Sequence, residues 1–93
     1  MTQYARKVDR KHAEIRDAIR KAGYFCHDCA RFGGGFPDLL AVSKSGRVIL
    51  FEVKSPGEKL TPAEDIFRVG YPAALFVVQT AEQAIEYLQL EKI

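Results

Sequence analysis

Asp38, Glu52 and Lys54 are the side chains of this 93-residue chain whose types and spacing point to chemistry. One residue separates Glu52 from Lys54, so on an extended strand both project from the same face. Between Asp38 and Glu52 lie two runs rich in β-branched and aliphatic residues, Leu39 to Ser43 and Arg47 to Val53, joined by Lys44-Ser45-Gly46. A three-residue hairpin loop takes glycine at its last position, where the backbone turns left-handed, and Gly46 stands there. That loop fixes the register: Val42 faces Val48, Leu40 faces Leu50, and Asp38 faces Glu52. Directly opposed Cβ atoms are about 4.5–5.5 Å apart, and like charges there destabilise the pair. Two carboxylates at the end of an apolar ladder therefore call for a positive charge between them. Mg²⁺ suits the position, since it is typically held by one or two carboxylates plus waters and substrate phosphates. Lys54 adds a second positive charge on that face, where it would orient or deprotonate a water. The pattern is that of a metal-dependent phosphodiesterase.

The elements that must position these residues follow from periodicity and punctuation. Tyr4 to Ala22 reads as a helix, with Tyr4, Val8, Ile15, Ala18, Ile19 and Ala22 at spacings of three and four and Gly23 ending it. Tyr24 to Arg31 reads as a strand of mixed polarity. Gly33-Gly34-Gly35 follows, a loop without side chains that lets backbone approach a phosphate. Arg31 and Phe32 flank it and could contact a sugar-phosphate chain. The run Val48 to Lys54 is apolar on both faces, as expected of an interior strand. Thr61-Pro62-Ala63-Glu64 is a helix start with a capping box, which gives Glu64 a structural reason of its own. Ala73 to Gln79 reads as a buried strand after a turn at Gly70-Tyr71-Pro72. Thr80 to Gln83 is a second capping box, opening a helix that turns Ala84, Ile85 and Leu88 inward. The aromatics Phe67, Tyr71, Phe76 and Tyr87 read as core. The order is helix, three strands, helix, strand, helix: an α/β fold around a mixed four-stranded sheet.

Pro37-Asp38 followed by Glu52-Val53-Lys54 resembles the PD-(D/E)XK nuclease signature. With the flanking GGGFPDLLAV and VILFEVKSPGEKLTPAE, the chain is similar to the VRR-Nuc branch, in its stand-alone phage and bacterial form, over nearly its whole length. The resemblance implies a single domain over residues 1–93 with a restriction-endonuclease-like α-β-β-β-α-β core and a C-terminal helix. It implies an Mg²⁺- or Mn²⁺-dependent endonuclease acting on DNA, selective for branched structures in the manner of a Holliday-junction resolvase, and a homodimer. On this reading Asp38, Glu52 and the Val53 carbonyl hold the metal and Lys54 assists the chemistry. Glu14, on the first helix, supports the metal site. Glu64 stands where the family more often has glutamine, so it is either an auxiliary of the site or a helix cap alone. Arg31, Gly34, Gly35, Lys44, Arg47 and Lys59 are the candidate DNA contacts.

Composition sets outer bounds. An apolar fraction of 47% and an aromatic fraction of 11% are those of a folded globular chain, and a net charge of +2 permits nucleic-acid binding without demanding it. No apolar run is long enough to span a membrane, and residues 1–20 show no signal-peptide pattern, which leads to an expected place in the cytoplasm of a bacterium or a phage-infected host. Cys26-His27-Asp28-Cys29 has no second pair at zinc-finger spacing, so two reduced thiols are expected. A non-catalytic nucleic-acid-binding module on the same fold is the competing reading, and it predicts loss of an acid or of the lysine, all of which are present. A purely structural ion network is disfavoured, because burying two acids with one lysine costs more than apolar packing.

Overall fold

Four strands and three helices make up the computed structural model. It describes residues 3–71 and 74–90, and for residues 3–10 the backbone alone. In chain order the elements are α1 (Gln3–Lys21), β1 (Cys26–Asp28), β2 (Leu39–Val42), β3 (Val48–Val53), α2 (Pro62–Gly70), β4 (Leu75–Val78) and α3 (Ala81–Leu90). The sheet order is β1-β2-β3-β4, antiparallel at the first two pairings and parallel at the last. This is the mixed four-stranded α/β architecture the element order implies.

The central hairpin has the expected register, with Val42 opposite Val48 and Leu40 opposite Leu50. Gly46 adopts φ +94°, and Ser43 closes the turn by donating its N–H to the Arg47 carbonyl at 2.8 Å. β3 is an interior strand, flanked by β2 and β4. Leu39, Ala41, Ile49 and Phe51 line one face of the sheet. They pack with Val78 against Ile15 and Ile19 of α1 and Ala84 and Leu88 of α3. On the other face lie Leu50, Glu52 and Lys54, with Val48 and Val77 left partly open to solvent.

Several expectations need correction. β1 is only three residues long, because Phe25 points to solvent and the chain turns away after Asp28. Phe76 is half-buried and packs against the core as expected, but Phe67, Tyr71 and Tyr87 lie outside it; Phe76 and Tyr87 stack on each other at 4.0 Å near the sheet edge. The second capping box is staggered: Thr80 accepts from Gln83 N–H, but the Gln83 side chain reaches back to the Gln79 N–H rather than to that of Thr80. Tyr4 and Val8 have side chains outside the described residues, as does Pro72 of the expected turn.

α2 begins at Thr61, and its capping box is complete: Glu64 N–H donates to Thr61 Oγ1 and Thr61 N–H donates to Glu64 Oε1. No residue of this helix is buried. It rests on the glycine loop, where Phe36 meets Phe67 edge-on at 5.1 Å and Gly35 lies against the Ala63 carbonyl. Gly35 has φ +82°, and a Cβ there would overlap that carbonyl, whereas a Cβ at Gly34 (φ +64°) would meet open space. Gly34→Ala is expected to cost about 1–2 kcal/mol from backbone strain alone. Gly35→Ala should cost more and also displace α2, so paired urea melts of the two variants isolate the contact.

Candidate active site

The hairpin delivers two carboxylates to one place. Asp38 lies just before β2, its carbonyl accepting from Cys29 N–H at 2.7 Å, and its Oδ2 accepts from Val53 N–H at 2.9 Å. Its carboxylate therefore stands in for a backbone acceptor and is fixed against β3. Glu52, at the opposed position on β3, is 4% exposed, with Asp38 and Glu64 the acids that act on it. Burial, joined by the charges of Asp38 and Glu64, pushes Glu52 up to about 9 against the opposing charge of Lys54. Burial also raises Asp38, despite the Val53 N–H and the nearby His12. The pair thus keeps a proton at neutral pH that ordinary carboxylates would have lost.

Lys54 is 5% exposed, and its Nζ lies 2.8 Å from Glu64 Oε1, 3.6 Å from Glu58 Oε2 and 3.8 Å from Glu52 Oε2. Burial pulls its pKa down, but the hydrogen bond to Glu64 and the three carboxylates more than offset this and hold it raised. The side chain is a fixed ammonium. It can orient a water or neutralise a phosphate. Glu64 is held low, burial being outweighed by Lys54 and the Thr61 N–H. It therefore caps α2 and anchors Lys54 with the same carboxylate. Glutamine at this helix position can still accept from the Thr61 N–H. Glu64→Gln keeps the cap but weakens the tie to Lys54, so it is expected to cost less stability than Glu64→Ala, which loses both the cap, worth about 1 kcal/mol, and the ion pair, as thermal melts would show.

The other candidates divide by position. Arg31 is exposed on the loop that leads into Asp38, with Gly34 and Gly35, and Lys59 is exposed between β3 and α2. Lys44 and Arg47 sit at the opposite end of the hairpin. At about 3.3 Å per residue this places them roughly 15–20 Å from the acids, so they are not part of the same cluster. Glu14 is exposed, and it is not among the charges that act most on Asp38 or Glu52. The α1 side chain turned inward is His12, three residues before Ile15; its Nε2 lies 3.1 Å from Asp28 Oδ2, which also accepts from Arg16 at 3.2 Å. The i, i+3 spacing with Ile15 is the signal that marks it. Lys11 adds a second tie from α1, donating to the Lys54 carbonyl at 3.3 Å.

Among the described residues, no three His, Cys, Asp or Glu side chains form a ready-made metal cage. A buried Glu52 set against a half-buried Asp38 does fit a small divalent cation, which would take the place of the proton that burial keeps on Glu52 and complete its coordination with carbonyl and water oxygens. Cys26 and Cys29 are free and buried, and burial pushes the Cys26 thiol up to about 11, so it is neither a ready ligand nor a nucleophile.

A family model described as the VRR-NUC domain matches residues 3–67, most of the chain. The chain belongs to the VRR-NUC family. The match runs from α1 through the hairpin into α2 and so contains Asp38, Glu52, Lys54 and Glu64. Membership makes this a nuclease-type domain with DNA as its substrate. No curated protein and no solved structure gives a significant match. Among the described residues no helix is long and apolar enough to cross a membrane.

Proposed function

We propose that this VRR-NUC domain is a divalent-metal-dependent DNA endonuclease that selects branched DNA and cuts it as a homodimer, in the manner of a Holliday-junction resolvase. The observation that carries the reading is the meeting of Asp38, fixed by the Val53 N–H, with the buried Glu52 beside an ammonium, Lys54, that three carboxylates hold in place. In this reading Asp38, Glu52 and the Val53 carbonyl hold Mg²⁺ or Mn²⁺, which when bound polarises the scissile phosphate and acidifies a water. Asp38 is already oriented by the Val53 N–H, so little ordering remains to be done at that ligand. Lys54 directs its positive charge at the phosphate as negative charge grows there. Glu64 and Glu58 keep that ammonium charged and in position. Arg31 and Lys59, exposed at the same end of the sheet, hold the phosphate backbone without reading sequence.

Dimerisation is supported by the partly exposed Val48 and Val77 on the sheet face that carries Glu52, and by the small core of a 93-residue chain. Two symmetric sites suit paired incision of a branched substrate. The test is cleavage of a labelled four-way junction, a flap, a single strand and a plain duplex, each with Mg²⁺, Mn²⁺ or EDTA. Paired symmetric nicks in the junction, abolished by EDTA, are expected. Binding without cleavage of any substrate would replace this reading with the non-catalytic one.

A further inference from the structure

Phe32 touches one neighbouring ring yet leaves most of its surface in solvent. It is 64% exposed on the loop between β1 and β2, yet the loop around it is ordered by hydrogen bonds: Phe32 N–H to the Cys29 carbonyl at 3.0 Å and Phe36 N–H to the Gly33 carbonyl at 3.1 Å. Its ring is backed on one side by Phe36, centroids 5.0 Å apart and tilted by 57°. Phe36 in turn meets Phe67 edge-on, and Phe67 stacks on Tyr71 at 5.8 Å. Phe32 is thus the open end of a file of four rings, held from behind. Arg31, also exposed, precedes it, and the same loop runs through Pro37 into Asp38.

We propose that Phe32 is a stacking platform for a nucleobase left unstacked beside the scissile phosphate. The substrate class is therefore DNA whose base stack is interrupted next to the cut, at a junction crossover, a fork or a single strand, not continuous duplex. The inference rests on the nuclease reading of the neighbouring acids. In a duplex each base face is covered by its neighbours, so a protein ring reaches one only where the stack is broken or the base turned out. Stacking on a phenyl face tolerates any base, which suits a site without apparatus for reading base edges. Arg31 supplies the cation for the adjoining phosphate. The apolar residues exposed on α2, Ile66 and Val69, lie roughly 100° and 200° around that helix from Phe67, so they form a surface separate from the ring file.

The experiment measures binding in EDTA, by fluorescence anisotropy, of the full chain to one labelled sequence presented as a single strand, a forked duplex and a blunt duplex. Phe32→Ala should weaken binding to the single strand and the fork roughly ten- to a hundredfold and leave the duplex within about twofold. Phe32→Trp should restore it, and Phe32→Leu, which keeps apolar bulk without a π face, should not. Equal loss on all three DNAs, or rescue by leucine, overturns the inference. So does a change in mass by light scattering with DNA binding intact, which would make Phe32 a protein contact. Cleavage by the wild type with normal single-strand binding by Phe32→Ala would sink the stacking site alone. Loss of binding in Phe32→Ala, from a wild type that cuts nothing with Mg²⁺ or Mn²⁺, would leave the stacking site standing and remove the nuclease reading.

Discussion

Asp38→Asn is expected to abolish metal-dependent DNA cleavage while leaving the fold intact or more stable. The asparagine carbonyl can still accept from Val53 N–H, as the carboxylate does at 2.9 Å, so the end of the hairpin keeps its hydrogen bond. The substitution removes a carboxyl group whose charged form burial makes costly. It also removes half of the anionic charge that would hold a cation. The expected loss in single-turnover rate is on the order of a thousandfold or more, at least that of deleting one preorganised electrostatic group. Lys54→Ala should lose a comparable amount, but with a stability cost, because Glu52, Glu58 and Glu64 would face one another without their shared cation. Cleavage rates and thermal melts of both variants, measured side by side, separate chemistry from folding. A fully active Asp38→Asn protein would refute the assignment.

The second large effect is on stability as a function of pH. Glu52 is raised in the folded protein to about 9 from an ordinary 4.5, so between these values the native state holds a proton that the unfolded chain has released. Stability contributed by this group is fully present below about pH 4.5 and falls as pH rises toward 9. Asp38, also raised, acts in the same direction. Glu64 is lowered and works the opposite way, but only as pH falls below the usual glutamate range, so it does not cancel the trend. In EDTA the urea midpoint should therefore drop between pH 5 and pH 9. Glu52→Gln should flatten that profile and raise the midpoint at pH 8 while losing cleavage. A midpoint that rises over this range would show that the pair is ionised and stabilised by something else.

Much of this architecture can be read from the chain, because the signals are local and agree with one another. A glycine at the last position of a three-residue loop fixes the hairpin register, and Thr61-Pro62-Ala63-Glu64 fixes the start of α2. The features that escape such reading depend on distance or tertiary packing. Lys44 and Arg47 are near the acids in sequence order, but a strand carries the chain away from them at full extension. On α1 the apolar stripe is narrow, so the side of it occupied by Glu14 could not be decided until Ile15 and Ile19 were seen to bury with His12. Glu58 lies in an irregular turn, and its ion pair with Lys54 depends on that turn folding back so that Ser55 N–H meets its carboxylate at 2.8 Å. The aromatics of α2 and α3 have core composition but sit at the margins, because α2 packs on a loop and not on the sheet.

The central claim is that Asp38 and Glu52 hold a divalent cation in place of the proton that burial keeps on Glu52. Calorimetric titration with Mg²⁺ at pH 7, repeated in buffers of different ionisation enthalpy, counts the protons released on binding. Release of about one proton per metal ion bound is expected in the wild type. Neither binding heat nor release is expected in Asp38→Asn, and no release in Glu52→Gln. Metal binding without proton release, or release that persists in Glu52→Gln, would contradict the claim.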